Sequence, residues 1–310
     1  MTITTVSFYR RYHGYTGGHQ KVRDYLEHML ALDNMSATLW LENRARIQTK
    51  LFDGIDGVTY QERYCPEQAD IVFLAGLDWQ GYLPHFNESQ PRLNLIQHVR
   101  HGDAGHPLFA FLQHRAVRLC VSEAVRQAIL PYANGPCITV KMGHRIPNLT
   151  CKKQHQLYIL ATKAPQLGQQ VAEAATRQGL KVLLHCQPVE RQEVHLAMAR
   201  SLVTLTLPNK TEGFFLPGIE AMALSDWAIV PDCIASREYT LNGANISSCE
   251  RDPEACLEAV LKALQTRRGV LGAIRRWQGA KLAHGYSIGA ERKALHQIMQ
   301  KLPMLWAEIS

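Results

Sequence analysis

The chain has 310 residues, room for two domains of the usual ~100–200 residues each or for one large α/β domain. Apolar residues make up 46% and charged residues 20%, an ordinary globular balance that excludes a disordered chain, and the 21 glycines and 14 prolines show no period, which excludes collagen-like and linker-rich classes. The 34 basic and 27 acidic residues leave a net charge of +7, suited to an anionic small substrate, a polyanion or an anionic membrane surface.

Short β-branched runs alternate with amphipathic segments of helix length, the pattern of βαβ units and parallel sheets. The first half predicts strands at Ile3 to Phe8, Ala37 to Leu41, Asp70 to Leu74, Leu93 to Val99, Val117 to Val121 and Cys137 to Met142. A helix from about Gly18 to Leu32 places Val22, Tyr25, Leu26, Met29 and Leu30 on one face. Ser122 reads as the N-cap of a helix Glu123 to Leu130, which Pro131 stops.

After the polar stretch Pro147 to Gln156 the alternation restarts. Strands are predicted at Leu157 to Ala161, Lys181 to Cys186, Leu202 to Leu207 and Trp227 to Val230. Helices fall between them at Leu167 to Gln178, from Pro188 to about Arg200, and at Pro217 to Leu224. The restart predicts two Rossmann-like α/β domains, residues 1–150 and 151–310, with the final helix returning to pack on the first. Such domains bind ligands at the carboxyl ends of their strands, in a cleft between the two sheets.

Eight cysteines form no C-x-x-C pair and no zinc-finger spacing with histidine. Cys120 and Cys186 sit in apolar runs as small hydrophobes, so we expect free thiols, a cytoplasmic setting and no structural metal. Met1 to Tyr9 is too polar and short for a signal peptide, and no run of about 18 apolar residues spans a membrane. A peripheral contact with the inner face of a membrane stays compatible with the charge. The densest basic cluster, Arg267, Arg268, Arg275 and Arg276, reads as a solvated helix face, and nothing supports nucleic-acid binding.

The richest segment runs from Asn209 to Ala223, NKTEGFFLPGIEAMA. Glu212 ends a loop after a buried strand, and Glu220 lies eight residues on, inside the helix that Pro217 starts. Between them the helix start offers backbone N–H groups to an anion. Carboxylates beside amide donors suit a nucleotide-sugar, hydroxyls going to the former and phosphates to the latter.

This run resembles the E-G-F-x-L-P-x-x-E-A-M signature of retaining glycosyltransferases with the GT-B fold, of the family 4 type. Ala228-Ile-Val-Pro-Asp232 is similar to that family's buried strand, and Ser236-Arg-Glu-Tyr239 to its short glutamate-bearing segment. Asn242-Gly243 and Asp252-Pro-Glu254 resemble the turn and helix start that follow, a match over about 50 residues. In the first half Gly17 and Gly18 resemble the family's early glycine loop, and Val121 to Arg126 its strand-Ser-helix segment.

The resemblance implies an enzyme that moves a sugar from a nucleotide-sugar donor to an unidentified acceptor such as a glycan or lipid-linked glycan, with retention. Glu212 would hold the donor's sugar hydroxyls and Glu220 its ribose. Lys163, Lys210, Gly17, Gly18 and the segment Gly213, Phe214, Phe215, Leu216 would surround the donor. His98 would stand beside the sugar and phosphates, or else be a surface histidine held by a loop; His101 reads as such a surface histidine. No cofactor and no metal are implied, since no D-x-D pair occurs: Asp53 and Asp56, and Asp24 and Asp33, are too far apart.

Two departures stand out. The family's Gly-Arg pair before the lysine is replaced by Leu160-Ala-Thr-Lys163, so the arginine is absent. A central glycine of the signature is Phe215, whose ring either packs in the core or narrows the donor pocket. A catalytically decayed scaffold partnering an active transferase, and another GT-B enzyme such as a nucleotide-sugar epimerase, remain alternative readings.

Overall fold

A computed structural model of the chain describes residues 3–14, 16–42, 50–240 and 243–308. Tyr15 of the first glycine loop and Asn242 of the predicted turn lie outside the described residues. Two compact units emerge, Met1–Lys141 with Glu291–Ser310, and Met142–Ala290.

The first unit carries strands β1 (Thr4–Arg10), β2 (Met35–Leu41), β3 (Val58–Tyr60), β4 (Ile71–Ala75), β5 (Arg92–Ile96), β6 (Val117–Cys120) and β7 (Cys137–Thr139). They form one sheet in the order β3-β2-β1-β4-β5-β6-β7, with every neighbouring pair parallel. Its helices are α1 (Gly17–Leu30), α2 (Asp78–Tyr82) and α3 (Glu123–Ile129). Strands β4, β5 and β6 are buried along their whole length, as parallel strands covered on both faces must be.

Capping fixes where these helices begin. Thr16 accepts a hydrogen bond from the His19 amide at 3.2 Å, and Ser122 accepts one from Val125 at 3.2 Å, so Ser122 is the cap that its sequence position suggests.

The burial of β5 and β6 holds a surprise, because each places a fully buried arginine in the sheet. Arg118 donates to Asn94 Oδ1 at 2.7 Å and to the carbonyls of Phe111 and Leu112 at 3.1 and 2.9 Å. Arg92 donates to the carbonyls of Arg115 and Asn87 and faces the rings of Phe86 and Trp306. Two guanidinium forks thus replace the apolar side chains that a core strand predicts, and they satisfy carbonyls of the 3₁₀ turn Phe109–Gln113 and of the loops at Asn87 and Arg115.

The second unit comprises β8 (His155–Leu160), α4 (Pro165–Arg177), β9 (Val182–His185), α5 (Arg191–Ala199), β10 (Ser201–Thr206), α6 (Leu216–Leu224), β11 (Trp227–Pro231), β12 (Ile246–Cys249), α7 (Pro253–Thr266) and α8 (Gly269–His284). Asp252 caps α7, its Oδ2 accepting from the amides of Glu254 and Ala255 at 3.0 Å each, with Pro253 in the first turn. The sheet runs β12-β11-β10-β8-β9, again all parallel.

Alternate residues of β8 face opposite cores. Leu157 and Ile159 pack with Val171 and Ala175 of α4 and Val260 of α7; Tyr158 and Leu160 pack with Met198 of α5 and Ile219 and Met222 of α6. The helix after β8 and the helix after β10 therefore cover opposite faces.

The last helix, α9 (Ile288–Ala307), reaches into the first unit, where Glu291 receives Lys21 at 2.9 Å and His28 at 2.9 Å from α1. All eight cysteines are free, and no helix among the described residues is long and apolar enough to cross a membrane.

Removing the buried guanidinium of β6 tests the fold directly. Arg118→Met should destabilise the chain by about 3 kcal/mol or more, because the Phe111 and Leu112 carbonyls and Asn94 lose their donor inside the core. Chemical denaturation measures it, and a loss under ~1 kcal/mol would show that the surroundings repack around the methionine.

Candidate functional site

In the second unit the chain leaves β8 for β9 on one side and returns to β10 on the other. This reversal is the topological switch point, and ligands of open α/β sheets bind outside the carboxyl ends of the two strands that flank it. Lys163 follows β8 by three residues and Glu212 follows β10 by six, and their side chains meet at 2.6 Å. The Lys163 side chain is 41% exposed and Glu212 15%, so solvent and ligand reach the pair. Such an open pair adds little to stability, and its residues serve the surface they form.

The loop that carries Glu212 is held from several directions. The Asn209 amide donates to Glu212 Oε1 at 3.2 Å, the same oxygen that Lys163 engages. Tyr239, fully buried, donates its hydroxyl to the Phe215 carbonyl at 2.8 Å. Gly218 makes this approach possible, since a Cβ there would lie 2.6 Å from the Tyr239 hydroxyl and 2.9 Å from Val230. Pro217 stands in the first turn of α6, the position a proline tolerates best.

Phe215, left open between core and pocket wall, is 3% exposed and belongs to the cluster of Tyr158, Ile219 and Tyr239. Its ring is core, yet the Lys163 ammonium lies 5.3 Å from the ring centroid. The residue that departs from the signature therefore supports the lysine from below, as a cation–π contact.

Glu220 sits elsewhere on α6 and is almost wholly buried. Its Oε1 receives Arg191 at 2.7 Å and His195 at 3.2 Å, both from α5. Burial opposes its ionisation, but the nearby His195 ring and the Arg191 guanidinium outweigh it and hold the carboxyl down to about 2. Arg191 and His195 also line a cavity of about 480 Å³ with Arg145, Ile146, Pro147 and Leu196. The two glutamates are thus separately engaged, one with Lys163 and the other with α5. Lys210 is exposed, its carbonyl accepting from Ile234 at 3.4 Å; Gly213 is buried, and Phe214 and Leu216 are half-buried.

The first unit has its own switch point, between β1 and β4. Arg10, last in β1, meets Asp78, first in α2, at 2.7 Å, and donates through Nε to His19 Nδ1 of α1 at 2.9 Å. Burial pushes the Asp78 carboxyl up to about 6 against the pull of Arg10. Burial, with the Arg10 charge, lowers His19 to about 4, so a neutral ring accepts from the guanidinium. Beside them Tyr9 donates to Glu42 at 2.9 Å. None of these residues is singled out by the sequence, because each stands alone there and only the order of strands brings them together.

At the start of α1, Gly17 would accept a Cβ with nothing within 4 Å, and the Gly18 carbonyl accepts from Gln97 at 3.3 Å. His98 does not end a strand: β5 stops at Ile96, and His98 caps the short turn Val99–Gly102 through Nδ1, which accepts from Arg100 at 3.1 Å. His101 is buried and not at the surface; burial and the Arg100 charge press it down to about 3. Among the described residues no three His, Cys, Asp or Glu side chains are grouped to hold a metal ion.

Two Rossmann-like units with these strand orders are the GT-B glycosyltransferase fold, which solved structures share at low sequence identity. A glycosyltransferase from Rickettsia africae aligns with 97% of this chain and 99% of its own at a TM-score of 0.71 and 11% identity. Sucrose-phosphate synthase from Thermosynechococcus elongatus gives 0.69 at 12% identity, covering 96% and 99% of the two chains. Anabaena HepE in complex with UDP-glucose gives 0.69 at 10% identity, again covering 96% and 99%. No family model and no curated protein sequence matches the chain.

The engagement of Glu220 predicts an acid-side stability profile. Its carboxyl takes a proton near pH 2 when folded and near 4.5 when unfolded, so the unfolded state binds more protons in between. Its contribution, about 3 kcal/mol at neutral pH, should be full above pH ~4.5 and drain away as pH falls towards 2. Glu220→Gln should give a melting temperature that is lower at pH 7 and flatter across this window; parallel profiles for the two proteins would contradict the ion-pair account.

Proposed function

We propose that the chain is a metal-independent, retaining glycosyltransferase that takes its sugar from a nucleotide diphosphate donor and delivers it to a hydroxyl of an acceptor glycan or lipid-linked glycan. The observation that carries this reading is the Lys163–Glu212 pair at the switch point of the second sheet. A lysine next to the amides that open α6 suits a diphosphate, and a carboxylate one hydrogen bond away suits sugar hydroxyls. The fold shared with HepE, solved with UDP-glucose, supports a uridine donor.

In this mechanism the donor's diphosphate draws Lys163 from Glu212, and the released carboxylate accepts from the sugar hydroxyls. The bond from the anomeric carbon to the diphosphate breaks while the acceptor oxygen bonds to that carbon from the same face. The acceptor's proton passes to the departing phosphate oxygen. Lys163 and the α6 amides stabilise the charge as it grows on the leaving group. Lys210, on the loop that carries Glu212, is the second cation, and Glu220, steadied by Arg191 and His195, meets the ribose. In the first unit the Arg10–His19–Asp78 cluster stands at the switch point between β1 and β4.

Screening nucleotide-sugars with the purified chain, by mass spectrometry of hydrolysis and transfer products, tests the reading. Glu212→Gln should lose at least ~99% of turnover with an almost unchanged melting temperature, since the pair is open to solvent. Lys163→Ala should raise the donor KM and lower kcat together, because a cation on the leaving diphosphate acts in both ground and transition states. A product epimerised without acceptor would favour the epimerase, and failure of every nucleotide to raise the melting temperature would favour the decayed scaffold.

A further inference from the structure

Helix α8 is built inside out. The side it turns to the protein is made of Gly272, Gly279 and Ala283, all buried. At Gly279 even a methyl group would meet Asn245 Oδ1 at 1.7 Å and Met222 at 2.8 Å, so the helix lies hard against the body of its unit. Its large apolar residues point the other way: Val270 is 77% exposed, Leu271 72%, Ile274 46% and Trp277 64%. Val270, Ile274, Trp277 and Lys281 follow one another at four, three and four residues, a single stripe along the outer face. Four neighbouring large apolar side chains left in solvent on one helix mark an interaction surface.

The charge around the stripe selects its partner. From Ala259 to Ala290 the chain has six Lys or Arg and no Asp or Glu. Arg268 and Lys281 are exposed at its two ends, and the Lys281 ammonium lies 5.5 Å from the Trp277 ring. Arg275 and Arg276 turn toward the body of the unit, Arg275 over the buried Trp227 ring at 5.5 Å and Arg276 donating to the Arg267 carbonyl at 2.8 Å, which leaves Arg268 and Lys281 as the exposed cations of the helix. The acid facing this region from a neighbouring element, Asp226, is engaged by Arg267 at 3.0 Å and Lys153 at 3.4 Å. A second copy of the same helix would bring like charges face to face, whereas anionic lipid phosphates complement them.

We infer that α8 is a membrane-contacting helix: its Val270–Leu271–Ile274–Trp277 face enters the boundary between headgroups and acyl chains of an anionic leaflet, and Arg268 and Lys281 at its two ends bind lipid phosphates. Trp277 lies where an indole is favoured, with one side apolar and the other wet. The surface belongs to the second unit alone.

Sedimentation of the full chain with vesicles tests the inference. Vesicles of phosphatidylcholine and phosphatidylglycerol in equal parts should bind the protein, and pure phosphatidylcholine vesicles should bind it at least ~10-fold less. The double variant Ile274→Ser, Trp277→Ser should lose the anionic binding by ~10-fold or more at an unchanged melting temperature, since both side chains are exposed. Arg268→Gln with Lys281→Gln should weaken binding and reduce its salt dependence. Equal binding by wild type and the apolar double variant would overturn the inference. So would a concentration-dependent dimer that the same variant abolishes, which would make the stripe an interface between copies.

Discussion

Where β8 and β10 lie side by side, their following helices leave on opposite faces of the sheet, and side chains from the two connecting loops fill the gap. That reversal of strand order puts Lys163 against Glu212 at 2.6 Å although 49 residues separate them. Buried residues beneath the pair anchor the loop that carries Glu212. Tyr239 anchors the loop carbonyl, Gly218 lets it come close, and the buried Phe215 ring lies under the ammonium. The first unit repeats the arrangement with different chemistry, since Arg10 and Asp78 meet across the reversal between β1 and β4 in a setting that is almost dry. A dry pair orients its neighbours, and a wet pair can exchange partners with a ligand.

Buried charge is used as a fastener elsewhere in the chain. Arg92 and Arg118 tie the 3₁₀ turn Phe109–Gln113 and the loops at Asn87 and Arg115 to the sheet, Glu291 gathers Lys21 and His28, and Glu220 gathers Arg191 and His195. In each case a fork or a carboxylate meets several partners, the condition under which burying an ion is tolerated. The glutamate of α6 shows how one motif divides its labour. Of the two carboxylates eight residues apart, one faces solvent with a single lysine, and the other is locked to a neighbouring helix.

Much of this was legible in the sequence, for definite reasons. Parallel strands buried on both faces read as apolar runs, so most of the strands stand out, Ser122 announces a helix start through its side-chain oxygen, and Asp252-Pro-Glu254 marks another through its resemblance to a known helix start. The segment from Asn209 to Ala223 stands out as a candidate site because a glutamate, a proline and a helix start follow closely on the end of a buried strand. What stayed hidden depends on distant residues. Strand β3 has three residues and no apolar run. His98 follows an apolar strand closely enough to read as its end, yet the ladder stops two residues earlier and the histidine caps a turn. Phe215 could have gone to either side of its loop, and the space beside Ile219 and Tyr239 decided it. The cluster Arg267, Arg268, Arg275 and Arg276 reads as a solvated face, yet of the four only Arg268 is exposed: Arg267 pairs with Asp226, Arg275 lies over Trp227 and Arg276 donates to the Arg267 carbonyl, partners that the sequence places far away or does not mark.

The central claim is that the switch point of the second sheet receives the diphosphate of a nucleotide-sugar. A crystal structure of the chain with uridine diphosphate tests it most directly. The account predicts phosphate oxygens within hydrogen-bond distance of Lys163 Nζ and of the amides that open α6, with the Lys163–Glu212 contact broken. A nucleotide bound elsewhere, with that contact intact at its present 2.6 Å, would contradict it.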